Sequence, residues 1–166
     1  MSAIEAFSKK FDEYDLKGDG IIGFSDFHKL CEDLEGKDLS EAHSRVLFNG
    51  LVFDSKDALS KEEYIRFTEF LLNENHLKVC SVVFRGFDED RSCSLTMDQS
   101  LRFVEYLDKK CTREHLQDVL LEETGKRKGR FTFNVLYKYV SGKEIDLSYD
   151  PYEGRIMKSS KCCFIL

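Results

Sequence analysis

Turn-forming residues are scarce in this sequence of 166 residues, which has one proline and 10 glycines. Folds built from many short strands need frequent turns, so this scarcity argues against a β-sandwich or a β-barrel. No apolar run is long enough to cross a membrane. The first ten residues lack the apolar stretch of a secretory signal peptide, so we expect a cytoplasmic protein. The composition predicts a mostly helical fold.

Positive charge is also in deficit, because the formal net charge is −6. Proteins that bind nucleic acids concentrate Lys and Arg, so we expect no nucleic-acid partner. The four histidines are scattered over helical segments, without a Ser, Cys or carboxylate arrangement that suggests catalysis. We therefore expect that the protein is not an enzyme.

One local motif lies between residues 11 and 27, where acidic residues surround a sharp-turn glycine, Gly20. This segment resembles the 12-residue calcium-binding loop of the EF-hand family, with Asp15 at position 1 and an apolar residue, Ile22, at position 8. Lys17 at position 3 departs from the family pattern. The oxygen ligands that the resemblance implies are Asp15, Asp19, the carbonyl of Ile21, and Asp26.

The same pattern recurs along the chain with a nearly constant period. Apolar residues at position 8 are separated by 37, 36 and 36 residues, and they are Ile22, Leu59, Leu95 and Phe131. Ser60, Thr96 and Thr132 follow three of them as candidate N-caps of the next helix. Glu63 and Gln99 would complete capping boxes with the first two. Four repeats are predicted, similar to those of the calmodulin superfamily.

The fold that this resemblance implies is all-α, with eight short helices in two EF-hand-pair lobes. Short paired β-segments are expected between the loops of each lobe. We place the N-terminal pair at residues 1–73, the C-terminal pair at 76–141 and a flexible basic tail at 142–166. Helical spacing of apolar residues on both sides of each loop supports this division.

The four loops differ in their capacity for a cation. Calcium takes six to eight oxygen ligands, usually with a bidentate glutamate at position 12. Loop 1 has the shorter Asp26 there and Lys17 among its ligands, so we expect weak binding of Ca²⁺, or of Mg²⁺ instead. Loop 2, read from Val52, should be empty, and Glu63 is better explained as a helix cap. Loop 4, read from Thr124, is too basic for a divalent ion.

Loop 3 retains half of a ligand set. The oxygens are those of Asp88, Asp90, Ser92 and the Ser94 carbonyl. Cys93 replaces the turn glycine, and the neutral Gln99 replaces the glutamate at position 12. Two interpretations stay open at this point, a partial cation site and a solvated acidic turn that pairs with loop 4.

The chain ends in Cys-Phe-Ile-Leu, which matches a C-a-a-X box with Cys163 as the prenylated residue. Cys162 offers a second position for acylation by palmitate. Three basic residues precede the box, and they are Arg155, Lys158 and Lys161. A lipid together with basic residues gives stable attachment to an anionic membrane surface. We therefore expect a peripheral location on the cytosolic face of a membrane.

Two functions follow from the resemblance. The first is a membrane-anchored weak calcium sensor or adaptor, which binds an amphipathic helix of a target protein. The second is a metal-independent structural subunit similar to the myosin light chains. Sensor EF-hands open when the metal pulls position 12 inward, and no loop here has the glutamate with the ligand set that this requires.

Overall fold

The structure is a computed structural model that describes residues 2–35, 39–52 and 57–153. This part of the chain forms eight α-helices and four two-residue strands. The helices are α1 Ala3–Tyr14, α2 Phe24–Glu35, α3 Glu41–Leu51, α4 Lys61–Leu72, α5 His76–Phe87, α6 Met97–Tyr106, α7 Arg113–Thr124 and α8 Phe133–Ser141. The strands are β1 Ile21–Ile22, β2 Leu59–Ser60, β3 Ser94–Leu95 and β4 Phe131–Thr132. The predicted all-α class with short paired β-segments is confirmed.

The strands form two antiparallel pairs, and each pair joins two successive loops. Ile22 lies opposite Leu59 in the β1–β2 pair, and Leu95 lies opposite Phe131 in the β3–β4 pair. All four side chains are at most 2% exposed. The residues that share position 8 in the sequence repeat therefore meet in pairs, which confirms the register taken from their spacing.

Helix capping follows the prediction at two of the three positions. Thr96 accepts a hydrogen bond from the Gln99 amide at 3.3 Å, and the Gln99 side chain accepts one from the Thr96 amide at 2.9 Å. Ser60 accepts a hydrogen bond from the Glu63 amide at 3.2 Å. Thr132 precedes α8 but makes no side-chain capping bond. The chain enters α8 with Phe131 and Phe133 buried on either side of Thr132.

The chain divides into two compact units between Val82 and Val83. The division falls inside α5, whereas the sequence placed it in the turn before this helix. Val82 is 1% exposed and belongs to the first core, and Val79 packs against that core. Gly50 of α3 lies against the backbone of Val82, where a Cβ atom would be 2.0 Å from the carbonyl oxygen. The start of α5 is thus part of the first unit.

The second unit has a core of aromatic rings. Phe84 of α5 lies edge-on to Phe103 and Phe133, with ring centroids 6.1 and 5.3 Å apart. Ser100 takes the buried position 13 of the third repeat, where the other repeats have apolar residues. Its hydroxyl donates a hydrogen bond of 2.8 Å to the Thr96 carbonyl, so its polar atom is paired inside the core.

The segment after α8 packs on the second unit as far as it is described, to Glu153. Tyr152 is 1% exposed. Arg85 of α5 donates a hydrogen bond of 2.8 Å to the Pro151 carbonyl, and Asn134 of α8 donates one of 2.9 Å to the Asp146 carbonyl. The sequence assigns these residues to the tail and predicts none of these contacts, because Tyr152 and Pro151 follow no helical repeat.

Candidate functional site

Loop 1 folds around the carboxylate of Asp15, directly after α1. This carboxylate accepts hydrogen bonds from the amides of Gly18, Asp19 and Gly20 at 3.0, 3.3 and 2.7 Å. Gly18 and Gly20 have φ values of +67° and +77°, in the left-handed region that glycine adopts without strain. The turn predicted around Gly20 is therefore present.

The other predicted ligands of loop 1 are spread along it. The Asp19 carboxylate accepts a hydrogen bond from the Ile21 amide at 3.2 Å, and Asp26 lies in the first turn of α2. Within the described residues, no group of three or more His, Cys, Asp or Glu side chains is placed to hold a metal ion. The residues of loop 1 form a preorganised oxygen-lined turn and not a complete coordination shell.

Loop 3 repeats this turn without glycine. The Asp88 carboxylate accepts hydrogen bonds from the amides of Ser92 at 3.1 Å and Cys93 at 2.9 Å. Arg91 and Cys93 have φ values of 52° and 60°, at the positions that Gly18 and Gly20 hold in loop 1. A left-handed conformation costs a non-glycine residue about 1 kcal/mol or more, so the surrounding contacts must hold this turn in place.

A cationic side chain from loop 4 reaches the ligand oxygens of loop 3. The two N–H groups of Arg130 Nη2 are shared among three acceptors, which are Asp90 Oδ1 at 3.0 Å, Ser92 Oγ at 2.8 Å and the Ser94 carbonyl at 2.7 Å. Its Nε donates to Ser94 Oγ at 2.8 Å. Three of the four predicted ligand residues of loop 3 are thus brought together, and they surround a guanidinium.

The fourth predicted ligand residue, Asp88, is held by the segment after α8. The Tyr152 hydroxyl donates a hydrogen bond of 2.6 Å to Asp88 Oδ2, and Asp88 is 1% exposed. Burial raises the pKa of Asp88, and the hydrogen bond from Tyr152 opposes this rise. The Asp88 carboxylate thus accepts bonds from two amides and from the hydroxyls of Ser92 and Tyr152, all within the protein.

Asp90 is different, because it lies at the surface beside Arg130. Burial acts to raise the pKa of Asp90, but hydrogen bonds from Ser92 and the charge of Arg130 act to lower it, and the net shift is downward. The carboxylate therefore stays ionised opposite a permanent positive charge.

Sequence reasoning missed both Arg130 and Tyr152 as residues of this site. From the sequence, Arg130 is one of the basic residues that make loop 4 unsuitable for a divalent ion. The available signal was the register, because Arg130 precedes Phe131 and the pairing of Phe131 with Leu95 brings it beside loop 3. Tyr152 carried no such signal.

The remaining predictions fall on loop 2 and the tail. In loop 2, Glu63 lies in the first turn of α4, where its carboxylate accepts a hydrogen bond of 3.2 Å from the Ser60 hydroxyl. Lys56 of loop 2 lies outside the described residues. So do all the residues that the sequence assigns to lipidation and membrane attraction, which are Arg155, Lys158, Lys161, Cys162 and Cys163. Among the described helices, none is long and apolar enough to cross a membrane.

No family model matches the sequence, and no curated protein matches it either. A function is therefore inferred from the geometry of the loops and of the side chains that contact them.

Proposed function

We propose that this chain is a non-enzymatic, EF-hand-type adaptor that binds an amphipathic helix of a partner protein and is held at a membrane by a lipid on Cys163. One observation supports the EF-hand relationship most directly. Loops 1 and 3 make the same turn around an aspartate, with positive φ at Gly18 and Gly20 in one and at Arg91 and Cys93 in the other. A shared turn with positive φ at matched positions is what a repeated loop produces.

The first unit offers apolar surface for a partner helix. Three leucines at the ends of two helices are each about half exposed, and they are Leu34 of α2 at 45%, Leu71 of α4 at 46% and Leu72 of α4 at 45%. Helix-pair domains bind amphipathic helices by covering such residues with the apolar face of the ligand. The proposed partner is therefore a helix with apolar residues at i, i+3, i+4 and i+7.

Loop 1 is the proposed site of cation binding. Its turn is preformed around Asp15, and its oxygens suit Ca²⁺ or Mg²⁺. Lys17 places a positive charge among the ligands, and Asp26 reaches less far than a glutamate, so the affinity is low. Cation binding would adjust this adaptor and not switch it fully.

Membrane attachment is proposed from the C-a-a-X box alone. A buried methylene contributes about 0.8 kcal/mol, so a prenyl chain outweighs three basic residues that contribute about 1 kcal/mol each. Cys163→Ser should therefore move the protein to the cytosolic fraction. Replacement of Arg155, Lys158 and Lys161 by Gln should weaken attachment without preventing prenylation. A Cys163→Ser protein that remains on membranes would show that a partner holds it there.

The experiment for the helix-binding function uses the lipidated full chain. Proteins captured from cells, with and without Ca²⁺, are compared between the wild type and a variant with Leu34, Leu71 and Leu72 changed to Gln. The captured segment is then made as a peptide and titrated into the protein. We expect the peptide to become helical by circular dichroism and to shift the amide resonances of α2 and α4.

Leu147→Gln is the matched control, because this leucine is 91% exposed and lies in the segment after α8. It should leave capture and the resonance shifts unchanged. Equal capture by the triple variant, or a captured segment that stays non-helical, would contradict the proposal.

The second candidate function, a metal-independent subunit similar to the myosin light chains, is favoured by Arg130. Its guanidinium bonds to Asp90, Ser92 and Ser94, so loop 3 has its oxygens paired without a metal. A calcium titration followed by backbone NMR separates the two functions. Resonances of loop 1 that move with Ca²⁺ favour the adaptor with a weak cation response, and resonances that stay fixed favour the structural subunit.

A further inference from the structure

Loop 3 contains a positive charge supplied by the protein itself. The Arg130 guanidinium makes four hydrogen bonds, all between 2.7 and 3.0 Å, to oxygens of Asp90, Ser92 and Ser94. One acceptor is a carboxylate, one is a backbone carbonyl and two are hydroxyls. Such a mixed set of oxygens around a single charge is the environment that proteins build for a hard cation.

These oxygens occupy positions 3, 5 and 7 of loop 3 when Asp88 is counted as position 1. Position 1 is engaged elsewhere, since Asp88 accepts bonds from two backbone amides and from Tyr152. A guanidinium is planar and permanently charged, and its N–H groups bond to several oxygens at once. It can therefore donate hydrogen bonds to oxygens that lie on one side of a loop, whereas a metal ion needs ligands on all sides.

The position of Arg130 is fixed by the strand pair. It immediately precedes Phe131, which is fully buried and lies opposite Leu95 of β3. The side chain then runs back across the pair to Asp90 and Ser94. Because both ends of this contact are tied to the β3–β4 pair, the guanidinium reaches loop 3 at little further cost in backbone entropy.

We propose that Arg130 is the resident cation of loop 3, which holds the loop in its closed turn and keeps metal ions out of it. Arg91 and Cys93 have the left-handed conformation although neither is a glycine, and the contact of Arg130 with the loop stabilises this turn. Loop 3 is then rigid at every calcium concentration, and a cation binds at loop 1 instead. This inference rests on the contacts of loop 3 and not on the partner helix or the lipid, so it can fail while the proposed function stands.

The test is removal of the charge and its replacement by a free ion. Arg130→Gln removes the charge and keeps a shorter polar side chain, and Arg130 is 38% exposed, so the variant should fold. Hydrogen exchange of the Ser92, Cys93 and Leu95 amides is measured by NMR without metal, and then with Ca²⁺ or La³⁺. We expect exchange to accelerate about tenfold in the variant, since hydrogen bonds to charged groups stabilise a local structure by this factor. Added Ca²⁺ or La³⁺ should restore the protection in the variant and change nothing at loop 3 of the wild type.

Two further variants complete the experiment. Arg127→Gln is the matched control, because Arg127 is in the same loop but pairs with Asp118 at 3.2 Å, and it should leave loop 3 unchanged. Arg130→Lys keeps the charge without the planar fork and should recover part of the protection. Unchanged exchange in Arg130→Gln, failure of both ions to restore protection, or saturable binding of La³⁺ to loop 3 of the wild type would each overturn the proposal.

Discussion

The Tyr152 hydroxyl donates a hydrogen bond of 2.6 Å to Asp88 Oδ2, and both residues are 1% exposed. This contact joins the segment after α8 to the first residue of loop 3, 64 positions earlier in the chain. The segment is therefore a structural part of the second unit and not only a connection to the tail. Because a buried hydroxyl donates to a buried carboxylate, substitution of either residue should lower the stability of the second unit.

Tyr152→Phe should destabilise the second unit by about 1–3 kcal/mol. The ring would still fill its space in the core, but Asp88 would lose the one hydroxyl that donates to its Oδ2 oxygen. Urea unfolding followed through resonances of the second unit measures the change. An unaltered midpoint and slope would show that water replaces the tyrosine hydroxyl without penalty.

Tyr64→Phe makes the same chemical change in the first unit and should have the opposite or no effect. The Tyr64 hydroxyl is the one buried side-chain polar atom in the described part of the chain without a hydrogen-bond partner. Removal of a buried unpaired hydroxyl should leave stability unchanged or raise it by up to about 1 kcal/mol. A clear loss of stability in this variant would mean that the hydroxyl has a partner in solution.

Gly50→Ala should destabilise the first unit by about 3 kcal/mol. The new Cβ would lie 2.0 Å from the carbonyl oxygen of Val82, and backbone atoms can relieve such an overlap only if α3 and α5 move apart. Gly23→Ala is the control, since its Cβ would meet nothing closer than 3.8 Å. Thermal unfolding of the two variants is compared, and equal melting temperatures would contradict the close approach of α3 and α5.

The double change Lys17→Asp with Asp26→Glu should strengthen calcium binding at loop 1 by at least about tenfold. It removes a positive charge from the ligand set and supplies a longer carboxylate at position 12. Isothermal calorimetry of the wild type should show weak uptake, and the variant should give a steeper isotherm. Identical isotherms would show that the residues of loop 1 were assigned to the wrong loop positions.

The thiols of Cys31 and Cys80 should react slowly at pH 8 in the folded protein. Burial raises the pKa of Cys31 to about 12, with a further contribution from Glu35 and Glu32, and burial raises the pKa of Cys80 to about 11. The thiolate is the nucleophile, so few molecules are reactive at that pH. Alkylation with iodoacetamide, mapped by mass spectrometry, should be much faster in urea.

Because the folded pKa values of Cys31 and Cys80 lie above the unfolded ones, the stabilisation from these protonated thiols is complete below about pH 9 and declines as the pH rises further.

Spacing in the sequence was enough to predict the pairs that hold the loops together. Ile22 and Leu59, and then Leu95 and Phe131, follow a regular period because every repeat buries the same position. The cap at Thr96 was equally visible, since Gln99 follows it at the distance a capping box requires. These features are local or periodic, and features of both kinds can be recognised in the sequence.

The contacts that decide the chemistry of loop 3 are neither local nor periodic. Arg130 bonds to residues 36 to 40 positions away, and Tyr152 bonds to one 64 positions away. Only the folded strand pair and the packed segment bring these groups together. The sequence therefore predicted which oxygens line loop 3, and it could not show that an arginine and a tyrosine already bond to them.

The burial of Tyr152 also sets the length of the proposed membrane tether. Eleven positions separate this residue from Cys163. A fully extended chain spans at most about 3.6 Å per residue, so a lipid on Cys163 would keep Tyr152 within about 40 Å of the bilayer surface. The second unit could then rotate above the membrane but not leave the layer next to it, where partners embedded in or bound to the same membrane are concentrated.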